Sequence, residues 1–119
     1  MNKPILSEHL EQCGFVSWFR RKYPEYFIFA VPNGDKRSIS VAKRLKAEGV
    51  VAGVPDICIV LPDEKCVWIE MKRTKGGRVS DEQKKIHKTI DGLGHTVIIG
   101  KGAKDASDKF ENYLLTRSG

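Results

Sequence analysis

The chain has 119 residues, of which 21 are Lys or Arg and 15 are Asp or Glu, so the formal net charge is +6; 40% of the residues are hydrophobic. That length suffices for one domain with a core needing no disulfide or metal staple, and no apolar run approaches the roughly 20 residues required to cross a bilayer. The opening Met-Asn-Lys-Pro-Ile-Leu-Ser lacks the apolar stretch and cleavage site of a secretory signal, so the expected address is cytosolic, with no membrane partner.

Cys13, Cys58 and Cys66 contain no C-x-x-C spacing, and His9, His87 and His95 are too scattered for a zinc finger. Cys58 and Cys66 read as buried thiols packed as small hydrophobes.

In chain order, the first helix is expected from about Glu8 to Lys22, with Ser7 as N-cap and Pro24 as the stop. Leu10, Cys13, Ser17 and Trp18 share one face at helical spacing, with Phe15 and Phe19 beside it. Phe27 to Val31 reads as a strand, ended by the turn formers Pro32-Asn33-Gly34. A short basic helix follows from about Ser40 to Glu48 and closes at Gly49. Ile57 to Leu61 and Val67 to Met71 form a hairpin around Pro62-Asp63-Glu64-Lys65. Both faces of that hairpin are apolar, which predicts a central sheet covered by helices on both sides.

Gly76-Gly77 marks a loop, and Ser80-Asp81-Glu82-Gln83 is a capping box that opens a helix to about Leu93. Thr96 to Ile99 is a fourth strand. Asp105 to Leu115 is a final helix with Ala106, Phe110 and Tyr113 or Leu114 inward. The order α-β-α-β-β-α-β-α predicts an α/β fold around a mixed sheet of about four strands.

The positive charge is clustered. Lys36, Arg37, Lys43, Arg44 and Lys46 form one group with no acid inside it; Lys72, Arg73, Lys75, Arg78, Lys84, Lys85 and Lys88 form another, diluted by Asp81 and Glu82. Two such clusters flanking the hairpin fit a nucleic-acid footprint. Lys36, Arg37, Lys43, Arg44, Arg73, Lys75 and Arg78 are the candidate phosphate contacts, although any one of them alone also reads as ordinary surface charge. Trp18 and Trp68 read as core residues.

The hairpin carries the chemistry. Side chains repeat every two residues along a strand, so Glu70 and Lys72 share a face roughly 7 Å apart. With the hairpin centred near Asp63, Asp56 lies opposite Glu70, and two facing carboxylates destabilise a ladder. A divalent cation removes that conflict, since Mg²⁺ takes oxygen ligands from one or two carboxylates together with phosphate and water. Lys72 beside it is suited to hold a phosphate oxygen or to help generate hydroxide. The plainer alternative is three solvated strand ends with an incidental salt bridge.

Pro55-Asp56 followed fourteen residues later by Glu70-Met71-Lys72 resembles the PD-(D/E)xK nuclease signature. The surrounding Pro32-Asn33-Gly34, Leu45-Lys46-Ala47-Glu48-Gly49-Val50, Gly53-Val54-Pro55-Asp56, Ile69-Glu70-Met71-Lys72 and Ser80-x-x-Gln83 narrow it. Together they resemble the VRR-NUC (virus-type replication-repair nuclease) family in its small, stand-alone, phage-like form, from about Ser7 to Tyr113.

That resemblance implies a restriction-endonuclease-like core filling residues 1–119 and a Mg²⁺- or Mn²⁺-dependent endonuclease acting on branched DNA. It further implies kinship with Holliday junction resolvases, a homodimer, and a bacterial or phage-infected cell. By match to the motif, Asp56 and Glu70 are metal ligands, the Met71 carbonyl completes the site, and Lys72 is the catalytic lysine. The family also places a first-helix glutamate near the metal, which here is Glu8 or Glu11; either equally suits the positive end of the helix dipole. Gln83 falls beside the active site in the family, while as the third residue of a capping box it needs no other role. Asn33 is a turn residue or, by resemblance, a DNA contact. Flap or restriction-type cleavage, or a DNA-binding module with a vestigial site, are the alternatives.

Overall fold

The computed structural model describes residues 4–32, 38–63 and 65–117. Its elements are α1 (Glu8–Lys22), β1 (Phe27–Ala30), α2 (Ile39–Ala47), β2 (Ile57–Val60), β3 (Cys66–Lys72), α3 (Asp81–Gly92), β4 (Thr96–Lys101) and α4 (Ala103–Arg117). Three helices begin at a serine whose hydroxyl accepts a first-turn N–H: Ser7 from Leu10, Ser38 from Val41, and Ser80 from Gln83. Glu8 and Glu11 open α1 and Arg20, Arg21 and Lys22 close it, which complements the helix dipole at both ends. The helix expected at Ser40 starts one residue earlier behind Ser38, and the final helix starts two residues before Asp105.

The sheet order is β1-β2-β3-β4. β1–β2 and β2–β3 are antiparallel, whereas β3–β4 is parallel. A parallel pair needs a long crossover, and α3 supplies it. The mixed four-stranded sheet and its α/β class are as the sequence pattern predicts.

The two faces of the sheet differ. On one, Ile28, Ile57, Ile59, Val67, Ile69, Met71 and Ile98 meet Phe15 and Phe19 of α1 and Ala106 and Phe110 of α4 in a single buried cluster. Tyr113 and Leu114 both pack at its margin. The close seating of α4 depends on Gly100, where a Cβ would stand 2.5 Å from the Ala106 Cβ.

The other face carries Phe27, Phe29, Cys58, Val60, Trp68, Glu70 and Lys72 by strand alternation, and α3 packs at its β4 side. Cover there is incomplete, since Phe27 remains 62% exposed. Helices thus flank both faces as expected, and among the described residues the α3 layer is the thinner of the two.

The structure selects which face of α1 is buried. Its buried residues are Glu11, Phe15 and Phe19, whereas Leu10 is 52% exposed and Cys13 and Ser17 face solvent. Aromatics lie on both faces of this helix; Phe15 and Phe19 take the core and Trp18 packs partly buried at its margin. Cys58 is buried, Cys66 intermediate and Cys13 exposed.

Candidate active site

β3 alternates between the two worlds: Ile69 and Met71 enter the apolar core, while Glu70 and Lys72 point to the α3 side, and all four are buried. The β2–β3 register pairs Ile57 with Ile69, so its continuation sets Asp56 opposite Glu70. Asp56 is anchored twice: its carbonyl accepts the Val31 N–H at 2.7 Å, and its Oδ2 accepts the Met71 N–H at 2.7 Å. Glu8 reaches the same place from the first turn of α1. Ligand oxygens of Glu8, Asp56 and Glu70 all lie within 4.8 Å of one another.

Three carboxylates at that spacing repel. Burial first, then hydrogen bonding to Asp56 and the Asp56 charge, push the Glu70 carboxyl up to about 9. The Glu8 carboxyl is also raised, chiefly by burial and partly by Asp56, against the opposing pull of Lys72. An all-oxygen donor set in electrostatic conflict fits a hard divalent cation, which would replace the shared protons with charge that all three carboxylates favour.

α3 supplies the rest. The Ser80–Gln83 capping box is complete, with Gln83 Oε1 accepting the Ser80 N–H at 3.0 Å. The same oxygen accepts from Lys72 Nζ at 3.0 Å, and Gln83 Nε2 donates to Glu70 Oε2 at 3.1 Å. Two donors on Oε1 fix the orientation of the amide. Lys72 Nζ also lies 3.9 Å from Glu70 Oε2. One turn further along α3, His87 Nε2 is 3.1 Å from Glu70 Oε1.

A cleft of about 310 Å³ opens on to the carboxylates, bounded by Glu8, Gly53, Val54, Asp56, Ser80 and Gln83 among others. Gly53, at φ +88°, is required on that wall, because a Cβ there would stand 3.0 Å from the Glu82 carbonyl oxygen. A larger groove of about 500 Å³ follows α1 past His9, Cys13 and Arg20. It contains no carboxylate cluster, so chemistry and not size locates the site.

The model of the VRR-NUC domain matches residues 5–104, most of the chain. This chain belongs to the VRR-NUC domain family. Its fold is similar to two solved structures. One, described as a VRR_NUC domain protein, has a TM-score of 0.75 at 21% identity, with 95% of this chain and 91% of that one covered. The other, described as a VRR_NUC domain, has a TM-score of 0.65 at 16% identity, with 91% and 99% covered. No curated protein matches. The chain is thus a VRR-NUC nuclease domain at the level of family, and no helix among its described residues is long and apolar enough to cross a membrane.

Within this VRR-NUC domain the two first-helix glutamates separate. Glu8 joins Asp56 and Glu70, while Glu11 is buried and its Oε1 accepts the Ala103 N–H at 3.0 Å. Glu11 is therefore not brought into the carboxylate group: it satisfies an orphan donor at the start of α4 and ties that helix to α1. Met71 meets Asp56 through its N–H.

Of the candidate phosphate contacts, Lys43 and Arg44 are exposed on α2, with Arg44 Nε 3.8 Å from Glu48 Oε2. Arg73, Lys75 and Arg78 are exposed on the segment directly after Lys72. Asn33, Lys36 and Arg37 lie outside the described residues. His87 was not legible as a site residue from its own neighbourhood. The available signal was its spacing four residues after Gln83, which puts both on the α3 face that the capping box turns toward β3.

Proposed function

We propose that the chain acts as a single-domain, Mg²⁺- or Mn²⁺-dependent endodeoxyribonuclease that hydrolyses phosphodiester bonds in branched DNA, foremost four-way junctions, as a homodimer. The observation that carries this reading is the convergence of Glu8, Asp56 and Glu70 within 4.8 Å, with buried Lys72 alongside. Glu8, Asp56, Glu70 and the Met71 carbonyl would hold the cation. When bound, it supplies a Lewis acid for the phosphoryl oxygen and lowers the pKa of water near the phosphorus.

The chain's own groups do the remaining work. Lys72, held by Gln83 through one ammonium proton, keeps others for a phosphate oxygen, where a preorganised cation stabilises charge as it develops. Gln83 keeps Lys72 from collapsing fully on to Glu70. Arg73, Lys75 and Arg78 continue the positive charge outward from Lys72, and with Asn33, Lys36, Arg37, Lys43 and Arg44 they are assigned to backbone contacts that position DNA without reading sequence. A C2 pair of sites suits a junction, which needs two symmetric cuts.

The test is cleavage of end-labelled four-way junction, flap, duplex and single strand in Mg²⁺, Mn²⁺ or EDTA. Wild type should give paired nicks in the junction, abolished by EDTA. Lys72→Ala and Asp56→Ala should cut about a thousandfold more slowly while still binding. Cutting confined to flaps or linear duplex overturns the junction assignment, and binding without cutting in any metal overturns the enzyme.

A further inference from the structure

Glu70 is fully buried, and a side chain of α3 meets each of its oxygens. His87 Nε2 stands 3.1 Å from Oε1, and Gln83 Nε2 stands 3.1 Å from Oε2. The two donors are one turn apart on α3, a helix whose start is locked by the Ser80 capping box. Gln83 cannot rotate away, because its own oxygen is occupied by Ser80 N–H and Lys72 Nζ. The His87 side chain is itself only 11% exposed. The carboxylate is thus gripped on both edges by one rigid element.

That grip limits how a cation can be met. Each carboxylate oxygen has two acceptor positions; with the cation in place of the hydrogen bond shared with Asp56, His87 and Gln83 use one position on each oxygen, so a cation can take one oxygen without disturbing that pair of contacts. Chelation by both oxygens at once requires the plane of the carboxylate to turn toward the ion, which pulls it off His87 or Gln83. Mg²⁺ and Mn²⁺ accept single-oxygen carboxylate ligation in tight octahedral shells, whereas Ca²⁺ takes six to eight oxygens and readily engages both oxygens of a carboxylate.

We propose that His87 is a positioning residue that sets metal choice: by holding Oε1 while Gln83 holds Oε2, it keeps Glu70 a one-oxygen ligand and favours Mg²⁺ or Mn²⁺ over Ca²⁺. This rests on the metal site assigned above. Partners of this kind, which act on a ligand and not on the ion, typically change affinity by about 10–100-fold when removed. In its Nε2–H tautomer the neutral imidazole donates to a Glu70 carboxylate oxygen at this distance without adding a positive charge beside the cation.

The experiment is calorimetric titration of Mn²⁺ and, separately, Ca²⁺ into wild type, His87→Phe, His87→Asn and His87→Gln, with thermal melts for each. Phe fills the space without a donor, Asn is too short to reach Oε1, and Gln places an amide N–H near the former Nε2. Removing the donor should weaken Mn²⁺ binding about tenfold or more and leave Ca²⁺ binding nearly unchanged, so that the preference narrows; Gln should restore it. Equal weakening of both ions, or no change in either, overturns the role of His87. If wild type binds neither ion, or Asp56→Ala binds both normally, the metal site itself falls instead. Should His87→Phe fail to fold, the Asn variant gives the same reading.

Discussion

The two sides of β3 are equally dry and opposite in character. Ile69 and Met71 face Phe15, Phe19 and Phe110, whereas Glu70 and Lys72 face α3 and the end of α1. Successive residues of one strand therefore belong to a layer that holds the fold together and to a layer that costs stability. The apolar layer needs only shape. The polar layer needs every group satisfied, and without a cation three carboxylates crowd together, with the Glu8 and Glu70 carboxyls both raised.

The apolar side should break hardest. Phe110→Ala removes a fully buried ring that meets Phe19 at 5.3 Å and Tyr23 at 5.6 Å between centroids. It should cost about 3–5 kcal/mol in urea unfolding, with cleavage by the surviving folded fraction unchanged. A loss of specific activity in that fraction would show that the two layers are less independent than their chemistry.

Glu70→Gln sharpens the comparison from the other side. The amide stays neutral, accepts from Gln83 and can donate to His87 once the imidazole carries its proton on Nδ1, so the variant should be more stable without metal by about 1–2 kcal/mol while cleaving no DNA. Its pH dependence gives the sign. The folded Glu70 carboxyl is raised from 4.5 to about 9, so between those values the folded state holds a proton that the unfolded chain has released. This contribution to the stability of EDTA-treated protein is full below about 4.5 and is lost as pH rises through about 9. The urea midpoint of wild type should fall over that window, that of Glu70→Gln should fall less, and Mn²⁺ should raise the former at alkaline pH but not the latter.

Smallest in effect is Ser80→Ala, which removes a cap and should cost about 1 kcal/mol. Because Gln83 also touches Lys72 and Glu70, cleavage should drop by more than this loss of stability explains. Parallel measurement of the melt and of the cleavage rate separates the two.

The same contrast explains what the sequence revealed. Serine caps, the Ser80–Gln83 box and the glycine and proline breaks are local signals, and they located all four helices within a few residues. The Asp56–Glu70 opposition followed from hairpin register, which a two-residue side-chain period makes readable. The buried face of α1 was less legible, because hydrophobicity alone ranks Leu10 above Glu11, while the burial of Glu11 depends on an N–H of α4, 92 residues away. The choice between Glu8 and Glu11 is of the same kind: three residues apart on one helix, they differ only in what the rest of the chain brings to them. His87 was hidden for that reason too, since its partner is fixed by how α3 docks on β3.

Gln83 stands where these layers meet, as one amide oxygen shared by a helix start and an ammonium group. Among the residues that could replace it, each loses at least one of the two functions. Glu would cap the helix but set a further anion beside Glu70, Asn would fall short of Lys72, and Ala would forfeit both. In a library of random substitutions selected for function, residue 83 should tolerate fewer replacements than the exposed residues around it, and fewer than a helix cap of ordinary kind.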